Sequence, residues 1–213
     1  MTGNARTAGT IVVLNGAPRS GKSSIVRAIQ QTFEGSWTNL GVDVFNAFVT
    51  PPRLLPGIGL RPGGERPELE PFIPTLFSAL YESVIAHSRQ GLNVVVDVGH
   101  HDSYSQPLGT LGDAARRLEG LPAYLIGIRC PAEVIMQRRD SQRDESGSVY
   151  ETSSSDGAIP DAVIRWQEAV HIPGIYDLEI DTSTVTPEQA ANLIGELIVG
   201  PPPTAFRRLR AMS

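Results

Sequence analysis

The sequence reads Gly16-Ala17-Pro18-Arg19-Ser20-Gly21-Lys22-Ser23 directly after an apolar run at residues 11–14. This is the pattern G-x-x-x-x-G-K-[ST], which joins a buried strand to a helix through a glycine-rich loop. The residues that follow, 24–29, have the composition of that helix. Strand, loop and helix therefore occur in the order that a phosphate-binding loop requires, and a simple glycine-rich turn would not account for the flanking segments.

In a loop of this kind the backbone N–H groups and the start of the helix bind phosphate oxygens. We expect Lys22 to reach the β- and γ-phosphates of a nucleoside triphosphate, and the Ser23 hydroxyl to ligate Mg²⁺. The expected cofactors are ATP or GTP, together with Mg²⁺. The loop residues that we expect to contact the nucleotide are Gly16, Ala17, Pro18, Arg19, Ser20, Gly21, Lys22, Ser23 and Ser24.

The rest of the chain predicts an α/β fold. Apolar runs recur at residues 93–98 and 123–128, with weaker candidates at 37–42 and 176–180. Segments with helical spacing alternate with these runs. They are 23–33, 73–90, 107–118, 132–140, 161–170 and 187–198. Continuous apolar strands that alternate with helices are typical of a mainly parallel sheet that is covered on both faces.

The 213 residues predict one domain over residues 1–200 with two irregular segments. Residues 51–74 contain seven prolines and four glycines and predict a long surface loop on the acceptor side. Residues 138–160 end in a small, polar stretch that is typical of a mobile lid. Residues 201–213 are expected to form a solvated C-terminal tail.

Composition excludes several classes of protein. The chain has 18 Lys and Arg against 23 Asp and Glu, a net charge of −5, which argues against a general nucleic-acid binder. It has no apolar run long enough to span a membrane and no secretory signal, so we expect a cytoplasmic protein. Its one cysteine, Cys130, is expected to be buried. Nothing in the sequence points to a particular oligomeric state.

Two aspartates at predicted strand ends are candidates for chemistry. Asp97 ends an apolar run, where an aspartate holds the Mg²⁺ shell in nucleotide sites, although it could simply cap a turn. Asp43 follows the second predicted strand, on the sheet edge where ligands of open α/β sheets bind. It could take the proton of an acceptor hydroxyl or act as a helix N-cap, and the residues alone leave these two roles equal.

Three arginines and two histidines are further candidates for a role in phosphoryl transfer. Arg138, Arg139 and Arg143 precede the predicted lid, and at least one of them is expected to neutralise charge on the transferring phosphoryl group, with Arg138 and Arg143 favoured. His100 and His101 follow the Asp97 strand, where substrate contact and a polar loop remain equally open. Three more residues are candidates for binding. Phe45 is expected to contact the substrate, and Asp181 and Thr182 are expected to lie beside the nucleotide base.

Two absences narrow the class of enzyme. The residue after Asp97 is Val98, so the adjacent Asp-Glu pair of motor-type ATPases is missing. The chain also lacks the Asn-Lys-x-Asp segment that reads guanine in GTPases. Both observations argue against a mechanical ATPase or a GTPase switch.

Taken together, these residues resemble the chloramphenicol phosphotransferase-like family of P-loop kinases. The likeness covers most of the chain and depends on an ordered set of segments: 11–16 with Gly21-Lys22-Ser23, Leu40-Gly41-Val42-Asp43, Val94-Val95-Val96-Asp97, Gly127-Ile128-Arg129-Cys130, and 176–182. The departures are the proline-rich segment 51–74, a longer lid, and the pair His100-His101.

The resemblance implies an adenylate-kinase-like fold, with a five-stranded parallel sheet, helices on both faces and a small lid. It implies transfer of the γ-phosphoryl group to a hydroxyl of a small molecule, with Asp43 at the position of the family's catalytic base. The expected acceptor is an antibiotic, either chloramphenicol-like or a nucleoside, whose phosphorylation confers resistance. The alternatives are a metabolite kinase for a nucleotide, sugar or sugar-nucleotide, and a non-catalytic nucleotide-binding switch module.

Overall fold

The structure is a computed structural model that describes residues 7–141 and 159–212. Five β-strands form one sheet: β1 (Ile11–Asn15), β2 (Trp37–Asn39), β3 (Asn93–Val98), β4 (Ala123–Arg129) and β5 (Leu178–Asp181). The α-helices of the described residues are α1 (Lys22–Thr32), α2 (Val42–Phe48), α3 (Ile73–Arg89), α4 (Thr110–Arg117), α5 (Ala132–Ser141), α6 (Asp161–Ala169), α7 (Pro187–Ile198) and α8 (Ala205–Arg210).

The sheet is entirely parallel and has the strand order β2-β3-β1-β4-β5. The strand before the glycine-rich loop, β1, is central, and its five residues are fully buried. Its neighbours on either side are β3, which ends near Asp97, and β4, so the ends of β1 and β3 lie side by side, with Leu14 opposite Asp97. The predicted five-stranded α/β fold is confirmed.

Helices cover both faces of this sheet. On one face α1 packs over β2 and β3, and α7 packs over β5. Ile25, Ile29 and Ile194 of these helices share one core with side chains of β1 and β4. On the other face α3, α4 and α8 enclose a larger core that includes Phe77 and Tyr81. The six predicted helices are all present, with ends shifted by at most three residues. Two of them, α5 and α6, pack against each other in a third, smaller cluster that includes Ile135 and Trp166.

The proline-rich segment is more ordered than the sequence predicts. Residues 52–54, 57–59 and 70–72 form short 3₁₀ turns, and the last of them leads directly into α3. Ile58, Leu60 and Leu69 are buried in the larger core. The description of residues 51–74 as a surface loop is therefore wrong for these side chains, because the prolines interrupt regular structure without preventing apolar side chains from packing.

The C-terminal segment also differs from its prediction. Residues 205–210 form α8, and Phe206 and Leu209 pack into the core beneath α4. The Asp177 carboxylate accepts hydrogen bonds from the backbone N–H groups of Thr204 (2.7 Å) and Ala205 (2.9 Å), which satisfies donors at the start of this helix. The expectation of a solvated tail is wrong here, because buried apolar side chains and the hydrogen bonds to Asp177 hold this segment against the core.

Most of the predicted lid lies outside the described residues, since the structure describes its first part only as far as Ser141. Arg143 lies outside them as well. Within residues 7–141 and 159–212, no helix is both long enough and apolar enough to cross a bilayer.

Candidate active site

The glycine-rich loop leaves the end of β1 and enters α1 through two residues with left-handed backbone conformations. Arg19 has φ 67° and Gly21 has φ 97°. A residue with a Cβ is strained at such angles, which explains the glycine at the second position. Successive backbone N–H groups in a loop of this geometry form a concave site for an anion. The loop thus has the form that its sequence predicts.

Lys22 is the first residue of α1 and lies under the loop. Its ammonium group donates hydrogen bonds to the carbonyl oxygens of Gly16 and Ala17, both at 2.8 Å. Burial lowers the pKa of Lys22, whereas the nearby carboxylates of Asp97 and Asp43 act in the opposite direction. A cation held at this point can bind phosphate oxygens that are seated in the loop.

The hydroxyl of Ser23 and the carboxylate of Asp97 meet at the mouth of the loop. Ser23 Oγ donates a hydrogen bond of 3.0 Å to Asp97 Oδ2. Gly41 packs directly against this carboxylate, since a β-carbon there would stand 1.6 Å from Asp97 Oδ1. Hydroxyl and carboxylate oxygens are the donors that Mg²⁺ prefers, and the ion also keeps waters and phosphate oxygens. The residues present therefore fit a magnesium ion bound together with a nucleotide.

Asp43 lies in the first turn of α2, beyond the N-cap residue Gly41. It is thus neither at a strand end nor a helix N-cap, and both of those positional predictions are wrong, because β2 ends at Asn39 and Gly41 starts the helix. Its side chain lines the same cleft as Lys22 and Asp97. Desolvation and the charge of Asp97 raise the pKa of Asp43, while Lys22 and Arg19 counteract part of that rise.

Arg138 ties three parts of the site together. Its guanidinium donates to Thr182 O (2.7 Å), to Thr182 Oγ1 (3.1 Å) and to the carbonyl of Arg19 (3.3 Å). Thr182 in turn donates to the carbonyl of Ser20 at 2.6 Å. Arg138 therefore braces the glycine-rich loop against the end of β5 from one side of the cleft.

Thr182 and Asp181 have different roles, although they are adjacent. Thr182 lines the cleft. The Asp181 carboxylate accepts hydrogen bonds from Ser183 N (2.8 Å) and Ser183 Oγ (2.7 Å), outside the cleft. The prediction that Asp181 contacts the nucleotide is wrong in this structure, because its oxygens close the turn that follows β5.

All of these elements surround one cleft of about 820 Å³ along the carboxyl edge of the sheet. Its nucleotide half is lined by the glycine-rich loop and by residues that the sequence analysis missed: Arg27, Val185, Thr186 and Pro187. Its acceptor half is lined by Val42, Asp43, Ile58, Gly59, Arg61, Val98, Gly99, Arg139, Ala162 and Trp166. Asp43 and Arg139 were candidates from the sequence, and the other residues of this half were not. The only signal that pointed to any of them was the high proline content of the segment that contains Ile58, Gly59 and Arg61.

His100 belongs to the protein core. Its ring bonds to the Tyr81 hydroxyl (2.8 Å) and the Thr110 hydroxyl (2.9 Å), and it stacks on Phe77 with ring centres 4.3 Å apart. Burial lowers its pKa to about 3, so the ring is neutral at physiological pH. The predicted substrate contact is wrong for His100, because its backbone N–H is held by Asn15 Oδ1 and its side chain points into the larger core.

His101 and Phe45 lie behind the cleft wall. His101 is 3 % exposed, and its Nε2 bonds to the carbonyl of Leu60 at 3.0 Å. Its ring packs against Tyr104 and against the edge of Trp166, which does line the cleft. Phe45 is buried in the larger core. Neither residue lines the cleft in this structure, so their predicted role as direct substrate contacts is wrong here, since the neighbouring segment 57–61 covers them.

The sequence of the chain matches the family described as "Chloramphenicol phosphotransferase-like protein" over residues 9–199. It is also 28 % identical over 218 aligned residues to proteins from two strains of Mycobacterium tuberculosis, each named "Putative O-phosphotransferase". Those alignments cover 95 % of this chain and 88 % of each relative.

Solved structures of similar fold include kinases with small-molecule acceptors. The APS kinase CysC of Mycobacterium tuberculosis, solved with AMPPNP and APS, has a TM-score of 0.60 at 14 % identity and covers 91 % of this chain and 99 % of its own. The shikimate kinase of Acinetobacter baumannii, solved with shikimate, has a TM-score of 0.56 at 14 % identity, with coverages of 91 % and 94 %.

A third similar structure is the tunicamycin resistance protein of Deinococcus radiodurans, with a TM-score of 0.55 at 19 % identity and coverages of 92 % and 98 %. At these identities the structures establish the P-loop kinase fold. The family match establishes the class of reaction, phosphoryl transfer to a hydroxyl group. This chain belongs to the chloramphenicol phosphotransferase-like family and is a P-loop phosphotransferase with a hydroxyl acceptor.

Proposed function

We propose that this enzyme transfers the γ-phosphoryl group of Mg²⁺-bound ATP or GTP to a hydroxyl of a small molecule, with Asp43 as the general base. The observation that carries this proposal is the meeting of Lys22, Asp97 and Asp43 at one cleft, at the start of α1, the end of β3 and the start of α2. The reaction needs three groups: an ammonium that binds phosphate, a carboxylate that holds the metal ion, and a second carboxylate that takes the proton of the acceptor hydroxyl.

The nucleotide half would hold the triphosphate through the backbone N–H groups of the glycine-rich loop and through Lys22. Ser23 and Asp97 would hold Mg²⁺, which supplies charge neutralisation on the phosphate oxygens. Arg138 braces the loop through Arg19 and Thr182, so the donors are already oriented before the reaction begins. Such preorganisation avoids reorganising the site during phosphoryl transfer.

Asp43 supplies the proton transfer. As the acceptor oxygen forms its bond to the γ-phosphorus, the bond from that phosphorus to the leaving nucleoside diphosphate breaks, and the hydroxyl proton passes to a carboxylate oxygen of Asp43. A base is more effective when its pKa lies closer to the working pH. The raised pKa of Asp43 supports this role.

We further propose that the acceptor is an antibiotic and that phosphorylation inactivates it. The family description and the apolar part of the acceptor half, Val42, Ile58 and Trp166, support an acceptor larger than a simple sugar. A metabolite kinase is the competing function. A non-catalytic binding module would have no use for a second carboxylate beside the metal site, so Asp43 argues against that class.

Mass spectrometry of reaction mixtures tests the proposal. Mg²⁺-ATP and Mg²⁺-GTP would be incubated with a panel of chloramphenicol, nucleoside antibiotics, sugars and nucleoside monophosphates. A mass gain of about 80 Da, one phosphoryl group, identifies the acceptor. Growth protection by expression of the protein separates an antibiotic from a metabolite. A bound nucleotide with no phosphorylated product across the panel would contradict the proposal.

A further inference from the structure

The acceptor half of the cleft contains two arginines, Arg139 on α5 and the half-buried Arg61 of the proline-rich segment. This segment lies between two helices. A β-carbon at Gly59 would stand 3.8 Å from Val42 Cγ1 on α2, and one at Gly63 would stand 2.9 Å from Arg165 Nη1 on α6. Arg61 therefore lies between the helix that carries the proposed base and the helix that carries the aromatic wall.

The backbone on both sides of Arg61 is anchored to the loop that follows β3. The carbonyl of Leu60 bonds to His101 Nε2 at 3.0 Å, and the N–H of Gly63 donates to the carbonyl of Ser103 at 2.7 Å. Leu60 itself is 3 % exposed. Arg61 thus projects from a fixed wall, which lowers the entropic cost of binding a ligand.

The same anchor fixes the aromatic surface beside Arg61. Burial lowers the pKa of His101, so the ring is held as a neutral donor to Leu60. It packs between Tyr104 (ring centres 4.1 Å apart) and the edge of Trp166 (5.0 Å). His101 therefore contacts both the ring of Trp166 and the backbone next to Arg61, and it fixes these two cleft residues relative to each other.

The cations of the nucleotide half lie on other elements. Lys22 is at the start of α1 under the glycine-rich loop, and Arg138 is bonded to Thr182 at the end of β5. Of the two arginines in the acceptor half, Arg139 on α5 is only 9 % exposed, whereas Arg61, on the side of α2 and α6, is half-buried and presents more of its side chain to the cleft. A guanidinium group binds carboxylate, phosphate or sulfate through two parallel hydrogen bonds, and it does so more strongly where water is partly excluded.

We propose that the acceptor carries an acidic group, a carboxylate, phosphate or sulfate, in addition to its hydroxyl, and that Arg61 binds this group. The apolar frame of the molecule lies against Trp166, and the hydroxyl faces Asp43. This inference rests on the proposed function, and it narrows the acceptors, antibiotics and metabolites alike, to hydroxylated anions.

Titration with simple anions tests Arg61 without knowledge of the acceptor. Sulfate and, separately, acetate are added to protein saturated with Mg²⁺-AMPPNP, which occupies the phosphate-binding loop. Binding is read from the fluorescence of Trp166, with Trp166→Phe identifying its contribution. We expect a saturable change, and we expect Arg61→Gln to weaken anion binding roughly tenfold or more while Arg61→Lys retains part of it.

Arg53→Gln is the matched control, because Arg53 is an exposed arginine of the same proline-rich segment that does not line the cleft. It should bind the anions as the wild type does. Unchanged Mg²⁺-AMPPNP affinity in Arg61→Gln shows that the variant is folded. In the acceptor screen, Arg61→Gln should raise the KM of the accepted molecule more than it lowers kcat.

The outcomes separate this inference from the proposed function. Failure to bind Mg²⁺-AMPPNP would overturn both. Nucleotide binding without a saturable anion signal, or with the same signal in Arg61→Gln, would overturn the role of Arg61 alone. Phosphorylation of a neutral acceptor with an Arg61-independent KM would overturn the acidic-group requirement and leave the kinase assignment intact.

Discussion

The two halves of the cleft are built in different ways. The nucleotide half is built around one contiguous stretch, the glycine-rich loop and the start of α1, to which Asp97, Arg138 and the segment 182–187 add side chains. The acceptor half comes from five separate segments: α2, the 57–61 turn, the end of β3 with Gly99, α5, and α6. The first half is a local motif, and the second is a product of tertiary packing.

This difference indicates which half can change during evolution. Any change within the loop disturbs backbone angles and the bonds of Lys22, since both lie in the same few residues. The acceptor wall is carried by segments that lie apart from the glycine-rich loop in the chain, so a substitution in one of them leaves the loop and the bonds of Lys22 unchanged. A common phosphoryl donor with different acceptors is the expected result.

The largest effect is expected for Asp43→Asn. This change keeps the shape of the side chain and removes its ability to take a proton at neutral pH. Phosphoryl transfer should fall by about 10²–10⁴-fold, while the affinity for Mg²⁺-ATP stays nearly constant. Steady-state kinetics and nucleotide titration measure the two quantities. Glu82→Gln, which removes an exposed carboxylate on α3 outside the cleft, is the control. An equal loss of nucleotide affinity would contradict the separation of the halves.

Gly41→Ala should weaken Mg²⁺ binding, because Gly41 packs against the proposed metal ligand Asp97. The backbone of Gly41 (φ −66°, ψ 169°) suits alanine, but the new methyl group would stand 1.6 Å from Asp97 Oδ1 and displace it from Ser23. Disturbing the partner of a metal ligand typically costs about 10–100-fold in metal affinity or activity. The dependence of the reaction rate on Mg²⁺ concentration measures this loss.

Gly59→Ala is the matched control for that measurement, because its methyl group would meet only ordinary contacts at 3.5 Å and beyond. Its Mg²⁺ dependence should be that of the wild type. If Gly41→Ala and Gly59→Ala have the same Mg²⁺ dependence, the close packing of Gly41 on Asp97 has no part in metal binding.

A smaller effect is expected in the dependence of the phosphotransferase activity on pH. Asp43 must be ionised to accept a proton, and its pKa is raised by desolvation and by Asp97. Activity should therefore be present above this raised pKa and fall about tenfold per pH unit below it, at a higher pH than for an ordinary aspartate. The acidic limb of kcat/KM should be absent in Asp43→Asn, and an unchanged limb in that variant would assign it to another group.

Glu70→Gln is expected to have the smallest effect and to act on the acceptor half alone. The buried Glu70 carboxylate accepts hydrogen bonds from the backbone N–H (3.0 Å) and the hydroxyl (3.2 Å) of Ser105, which ties the proline-rich segment to the loop after β3. We expect the free energy of unfolding to fall by about 1–3 kcal/mol. The acceptor KM should rise a few-fold, with nucleotide affinity unchanged.

Denaturant unfolding and acceptor kinetics measure these changes. Glu68→Gln, which alters an exposed carboxylate of the same segment that pairs with Arg66, should have little effect on either quantity. A loss of nucleotide affinity in Glu70→Gln would show that the two halves are coupled.

Much of the fold could be predicted from local patterns. The strand β1, the glycine-rich loop and α1 are contiguous in the chain, so one short pattern predicts all three. The apolar strand at 94–96 could only be buried on both faces of a sheet. Asp97 at the end of β3 lies at the same edge of the sheet as Lys22, since parallel strands bring their carboxyl ends to one side.

The histidine pair shows where such patterns stop. His100 and His101 are polar residues after a strand, which fits a substrate contact as well as a core position. Their burial depends on Phe77, Tyr81 and Leu60, which approach from α3 and from the proline-rich segment. No local signal carries that information, because the hydrogen bonds that satisfy the rings join residues 10 to 41 positions apart.

The sequence by itself determined the parallel α/β architecture, the phosphate-binding loop and the candidate chemistry of Lys22, Ser23 and Asp97, because short-range periodicity and one contiguous motif encode them. Only the tertiary structure decided that α8 packs on the core and that Arg61 and Trp166 line the acceptor half. The physical reason is that burial and charge pairing between distant segments depend on how those segments meet in space, and apolar or basic composition alone does not specify the partner.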